Sequence, residues 1–314
     1  MERRRSGIGG SDIAAIVGLS PWATAYDVWR SKVEPDAERE AEISGKMAVR
    51  LGVELEDFAA RLFTEATGKR VQRCNHQFQC PGAEVFTANL DRVIIEHGAP
   101  VYRNELRTSS ILECKTASRA DEWGEPWTDA IPEHYKCQTQ WYMGVTGAAR
   151  CYVSVVFLTM PYRHAVYLVE RDEDLIAYLF TAGGQFWRDY VETKTPPPPQ
   201  TYEDAARRWT GTAEVCTADV ELAELIEEYR EAAAERKDAE RREDLIKAQI
   251  CRRMGDCSVL ASASGRKLAS WSASKEAVKV DYKGIVEELS PAPEIIAKYS
   301  QTYNTARRFT LTGK

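Results

Sequence analysis

The sequence predicts an α/β fold with a central mixed sheet flanked by helices, on three observations. Apolar residues recur at helical spacing in three early segments, alternate at strand spacing in the next four, and return as helix, two strands and helix. With 314 residues, 44% of them hydrophobic, the chain can bury a sizeable core. Four consecutive prolines, Pro196 to Pro199, break both helix and ladder and predict the end of that core. Residues 1–195 are thus expected to form one domain and residues 196–314 an extension.

From Ser11 the pattern S-D-I-A-A-I-V-G places a capping residue before a short apolar helix and a glycine after it. Ser20-Pro21-Trp22 predicts a turn, and Thr24 caps a second helix carrying Tyr26, Val28, Trp29 and Val33. The acidic stretch Glu34 to Glu42 predicts a mobile loop. A longer helix is expected from Lys46 to Thr67, stopped by Gly68, with Glu54 and Asp57 on its solvated face. Strands are expected at Val71 to Gln79, Val85 to Asn89, Arg92 to Glu96 and Ile111 to Thr116. Pro132 opens a helix that Gly147 stops, and Arg150 to Phe157, Arg163 to Val169 and Arg171 to Tyr190 follow as strand, strand and helix.

In the extension, Ala218 to Arg253 carries Leu222, Leu225, Tyr229, Ala232, Ala239, Ile246 and Ile250 on a 3,4 seam that Arg236 and Glu243 interrupt. It predicts a long amphipathic helix or a helical hairpin, packed on its own chain or on a partner. A strand pair, Ser258 to Ala263 and Lys267 to Ser274, then short helices near Tyr282 to Leu289 and Pro293 to Tyr299, precede Arg307-Arg308-Phe309.

Charged residues make up 29% of the chain and its net charge is −6, which excludes a generic basic nucleic-acid coat protein but not a nucleic-acid enzyme. No apolar run approaches the roughly 20 residues that span a bilayer, and no apolar segment follows the basic N-terminus. A cytoplasmic protein is expected. Eight scattered cysteines and four unspaced histidines predict reduced thiols rather than a zinc or iron-sulfur centre. Trp22, Trp29, Trp123, Trp127 and Trp141 are expected to wall a core or groove.

The chemistry concentrates at S-S-I-L-E-C-K-T-A-S, residues 109–118. Glu113 and Lys115 stand two apart, so in a strand both project from one face. Asp91, in V-F-T-A-N-L-D-R-V, completes the spacing D-x21-E-x-K. A hairpin that sets one strand end beside the next brings both carboxylates onto one or two divalent cations, and hard oxygen ligands favour Mg²⁺ or Mn²⁺ over zinc. The main-chain carbonyl of Cys114 is a further candidate ligand. Such a metal lowers the pKa of bound water, while Lys115 positions or deprotonates that water; phosphodiester hydrolysis needs little else.

Further motifs accompany this set: G-I-G-G-S-D-I-A-A-I-V-G-L-S-P-W at the start, G-x-E-x-E at Gly52, A-N-L-D-R, I-L-E-C-K-T, and I-P-x-x-Y-x-x-Q-x-Q-x-Y-M-x-V-T-G. In this order, over residues 4–192, they resemble the YqaJ viral recombinase family, which belongs with lambda exonuclease among the PD-(D/E)XK nucleases. The resemblance implies a restriction-endonuclease-like core and a Mg²⁺-dependent 5′-to-3′ double-strand DNA exonuclease of phage-type recombination. Its product would be a 3′ single strand for a single-strand annealing recombinase.

The resemblance further implies that Asp91, Glu113 and the Cys114 carbonyl bind metal and that Lys115 serves the attacking water. It places Glu56 near a second metal position and makes Gln138 the helix glutamine that helps hold the site. Arg4 and Ser11 lie where the family recruits the terminal 5′ phosphate, with Arg3 and Arg5 as adjacent choices. Asn89 inherits a phosphate contact, although Asn-Leu here replaces the Ser-Pro of lambda exonuclease. The resemblance also implies a homo-oligomer, a ring trimer, acting on double-stranded DNA ends, phage or prophage encoded in a bacterial host. The rivals are a PD-(D/E)XK endonuclease or resolvase, and a non-catalytic recombination adaptor that uses the helical tail.

Overall fold

The computed structural model describes residues 6–34, 43, 45–102, 105–209, 211, 215–272 and 281–299. The chain divides into two compact units, one built on residues 1–210 and one on 211–305. The expected acidic loop lies outside the described residues from position 35 on, as do Arg4 with its neighbours, the last residues of the second predicted tail strand, and Arg307 to Phe309.

In the first unit α1 (Gly10–Ile16), α2 (Ala25–Val33) and α3 (Met47–Thr67) precede β1 (Val71–Arg73), β2 (Gln77–Cys80), β3 (Ala83–Asn89) and β4 (Arg92–Ile94). The small hairpin β5 (Val101–Tyr102) and β6 (Glu105–Leu106) leads to β7 (Ser110–Ala117). Then come α4 (Glu133–Thr146), β8 (Arg150–Phe157), β9 (Arg163–Glu170), α5 (Glu173–Phe186) with a π-helical turn at Trp187–Glu192, and α6 (Tyr202–Arg208).

The five-stranded sheet has the order β1-β4-β7-β8-β9, and it is mixed because β7 and β8 are parallel while every other neighbour is antiparallel. Parallel neighbours need a crossover, and α4 supplies it. Side-chain alternation divides the strands between two cores. Phe63 and Ala60 of α3 pack with Ile94, Leu112, Tyr152 and Val166 on one face. Ile13 of α1, Trp141 of α4 and Leu179 of α5 pack with Val93, Ile111 and Val153 on the other. Each such buried side chain contributes about 1.5–3 kcal/mol.

The expected strand at Val71 to Gln79 is two strands in two sheets: β1 edges the main sheet, whereas β2 pairs with β3. Alternation alone does not reveal a change of partner. Ser11 is not the helix cap. Gly9 holds that position, and the Asp12 carboxylate accepts the Gly9 N–H at 3.0 Å, so an acid inside the first turn outcompetes the serine. Pro132 likewise sits at the cap, one position before α4.

The prolines do not end the first unit. Beyond them Gln200 Oε1 accepts the Ala25 N–H at 2.9 Å, and the fully buried Asp204 accepts from Thr24 Oγ1 at 3.0 Å, which docks α6 against α2. The chain therefore crosses the proline run before it leaves the core.

The second unit opens with α7 (Val220–Met254), one uninterrupted helix rather than a hairpin, capped by Asp219 and ended at Gly255. Leu222, Leu225, Tyr229, Ile246 and Ile250 of its seam are exposed. A two-stranded β10 (Val259–Ala261) and β11 (Lys267–Ser270), then α8 (Tyr282–Leu289) and α9 (Pro293–Tyr299), follow. Among the described residues no helix is long and apolar enough to cross a membrane, and all eight cysteines are free thiols.

Candidate active site

The site exists because β7 outruns β4. On one edge β7 pairs with β8 along its whole length, from Ser110 to Ala117. On the other, β4 reaches only Ile111 and Leu112, so from Glu113 onward that edge has no ladder partner. Asp91, just before β4, fills the opening: its Oδ2 accepts the Cys114 N–H at 2.8 Å. In an extended strand a residue's N–H and C=O lie on the same edge, so the Cys114 carbonyl also faces the Asp91 side.

Glu113 and Lys115 share the parity of Ile111 and project toward α4. Lys115 Nζ donates to Glu113 Oε1 at 2.7 Å and to Gln138 Oε1 at 3.1 Å. Gln138 Nε2 donates to Glu113 Oε1 and to the Tyr142 hydroxyl, both at 2.9 Å. Gln138 and Tyr142 are one helical turn apart and so meet on one face of α4. Gln140, two positions on, turns away and bonds the Glu170 carbonyl and the Asp172 N–H instead. The two glutamines of the Q-x-Q motif thus have separate jobs.

Burial sets the electrostatics. Glu113, only 3% exposed, has its pKa pushed up to about 8, by desolvation first and by the Asp91 carboxylate second. Asp91 is raised for the same leading reason. Lys115 moves the other way from a buried amine: the Glu113 and Asp91 carboxylates hold it cationic. It therefore positions groups through its N–H donors rather than accepting a proton in this arrangement. Once Glu113 loses its proton, two carboxylates face one ammonium in a low-dielectric pocket, and a hard divalent cation suits that donor set.

Among the described residues no group of three or more His, Cys, Asp and Glu side chains converges to hold a metal. Asp91 and Glu113 are the carboxylates that meet, with the Cys114 main chain beside Asp91. Glu56 lies on α3, which covers the opposite face of the sheet, and ion-pairs with Arg92 together with Asp57. Arg92 also donates to the Asp91 carbonyl at 2.6 Å, so Glu56 is tied to the site through Arg92, and its charge is among those that raise the Asp91 pKa. Asn89 ends β3 opposite Gln77 with an exposed side chain, and Ser11 is exposed in the first turn of α1.

Sequence reasoning gave no role to Tyr142, Arg92 or Tyr135, whose ring centroid lies 4.8 Å from Lys115 Nζ. Tyr135 and Tyr142 flank Gln138 at helical spacing, a signal that was present in the α4 pattern. The glycines of the opening motif also acquire a reason. A Cβ at Gly7 would strike the Val85 carbonyl where Ile8 bridges to Phe86, and a Cβ at Gly10 would enter the Tyr142 ring. The N-terminal segment thus buttresses the tyrosine that holds Gln138.

A pH dependence follows. Glu113 has a folded pKa of about 8 against an ordinary 4.5, so the stability linked to its proton is fully present below 4.5 and lost as pH rises toward 8. In chelator the melting temperature is expected to fall between pH 5 and 8, and Mg²⁺ is expected to raise it more at pH 8 than at pH 5.5. An equal Mg²⁺ increment at both pH values, read by differential scanning fluorimetry, would exclude a cation site at Glu113.

Residues 1–149 match the model of the YqaJ-like viral recombinase domain. The uncharacterized protein YqaJ of Bacillus subtilis (strain 168) is 35% identical over 192 residues, 60% of this chain and 54% of its own length. The chain thus spans about half the length of that curated relative. Among solved structures, an alkaline exonuclease from Laribacter hongkongensis aligns with a TM-score of 0.46 at 20% identity over 62% of this chain and 92% of its own. A phage related exonuclease from Haemophilus somnus 129PT aligns with a TM-score of 0.39 at 16% identity over 60% of this chain and 96% of its own.

Proposed function

We propose, from the premise that residues 1–149 form a YqaJ-like viral recombinase domain, that this protein is a Mg²⁺-dependent exonuclease. It degrades double-stranded DNA from 5′ ends and leaves a 3′ single strand for an annealing recombinase. The observation that carries the reading is the buried cluster of Asp91, Glu113, Lys115 and Gln138 at the open edge of β7.

Asp91, Glu113 and the Cys114 carbonyl would hold the cation, with Mn²⁺ as a substitute, and Glu56 would serve a second position once released from Arg92. The cation's chemistry is to polarise the phosphodiester and acidify a water. The protein does the rest by placement. Gln138 anchors the Glu113 carboxylate and the Lys115 ammonium at once, and Tyr142 fixes Gln138. Lys115 Nζ, held cationic here, would orient the attacking water and the phosphate through its N–H donors. Arg4, Ser11 and Asn89 are assigned to the terminal 5′ phosphate, and a ring of three copies would retain an acidic protein on DNA.

Linear duplex bearing a 5′ phosphate, labelled separately at its 5′ and 3′ ends, tests this in Mg²⁺. The 5′ label is expected to leave first as a mononucleotide, with covalently closed circles untouched. Cutting of closed circles would identify an endonuclease, and release of no nucleotide at all would discard the nuclease reading.

A further inference from the structure

Of the tryptophans expected in a core or groove wall, Trp29, Trp123 and Trp141 are buried, but Trp127 is 55% and Trp22 70% exposed. It stands on the turn between α1 and α2, which the Ser20 hydroxyl braces by accepting the N–H groups of Trp22 and Ala23, each at 3.3 Å. The backbone beneath the indole is thereby fixed by local hydrogen bonds, so the exposed ring is presented from a defined turn.

Trp22 is not an isolated surface residue. Its ring meets His134 edge-on at 4.6 Å and Tyr135 at 5.9 Å, and those two rings are 4.1 Å apart. Tyr135 in turn lies 4.8 Å from Lys115 Nζ and 5.6 Å from the buried Trp123. An aromatic surface therefore runs from solvent to the ammonium of the candidate site. Two steps, of 5.9 and 4.8 Å, lead from the exposed indole to Lys115, so the two are separated by no more than about three base steps of roughly 3.4 Å each.

We infer that Trp22, with His134 and Tyr135 behind it, is a stacking platform for a nucleobase at the DNA end whose backbone enters the Asp91–Glu113–Lys115 site. Stacking suits this position because every base has a π-face, so the grip does not depend on sequence. The inference rests on the nuclease reading above and adds to it a base subsite. Trp22 acts by positioning, because the reacting groups are held by other residues.

The test uses the full chain carrying Lys115→Ala, so that DNA is bound without turnover. The probe is a duplex with 2-aminopurine as its 5′-terminal base, in Mg²⁺. Binding is expected to change the 2-aminopurine emission, and adding Trp22→Ala is expected to abolish that change and weaken end binding about tenfold, within the range for loss of one stacked base. Trp22→Phe is expected to retain most of both. In the otherwise wild-type enzyme Trp22→Ala is expected to raise KM with kcat nearly unchanged. Equal emission change and affinity with and without the indole would overturn the platform while leaving the nuclease intact. Failure of the wild-type enzyme and of every variant, each folded by circular dichroism, to bind duplex ends would overturn both.

Discussion

Replacing Lys115 by methionine is expected to lower nuclease turnover about 10³-fold, within the span measured for removing a positioned proton donor or oxyanion partner. The same change is expected to destabilise the protein by about 3 kcal/mol at pH 8, because removing one member of a buried ion pair strands the other. Glu113 is that other member, at 3% exposure, and Gln138 also loses a donor to its Oε1. The stability loss has a signature. At pH 5.5 Glu113, whose pKa is raised to about 8, takes up a proton and no longer needs the ammonium, so the loss shrinks. Chemical denaturation of wild type and Lys115→Met at both pH values, beside the nucleotide-release assay, checks this. A loss of the same size at both pH values would show that Lys115 is held by packing rather than by charge.

Gly10→Ala is expected to act at a distance on the same network. Its added Cβ meets the ring of Tyr142, whose hydroxyl accepts from Gln138 Nε2. Overpacking a close-fitted site costs about 1–3 kcal/mol. Turnover is expected to fall about tenfold as Tyr142 moves and Gln138 loses its anchor. A double-mutant cycle isolates the contact: in a Tyr142→Ala background the added methyl has room, and the cost of Gly10→Ala is expected to fall below about 0.5 kcal/mol. An undiminished cost in that background would place the strain elsewhere in α1. The outcome bears on the opening motif as a whole, since Gly7 is fixed by backbone approach to Val85 and Gly10 by the site's own tyrosine. Gly7 and Gly10 therefore need no ligand to explain them.

Much of this was legible because periodicity is a local property. The α3 and α4 spacings, the β7 alternation that puts Glu113 and Lys115 on one face, and the strands expected at Arg150 to Phe157 and Arg163 to Val169 follow from a few neighbouring residues. Glu113 and Lys115 were legible as a pair because they stand two positions apart, whereas Asp91, 22 positions before Glu113, was joined to them as the nearest upstream acid and by the order of the motifs. What only the tertiary structure decided is which edges and faces meet. That β4 stops two residues into β7, leaving an open edge for Asp91 and the Cys114 carbonyl, is a register between strands distant in sequence. That Glu56 is engaged by Arg92, that α6 returns past the prolines to Thr24, and that Trp22 lies against His134 and Tyr135 are likewise contacts between segments with no shared period. Sequence alone determined the kinds of element and the chemical groups they carry. Packing, which depends on shape and on the satisfaction of buried polar atoms, determined which of those groups share a site.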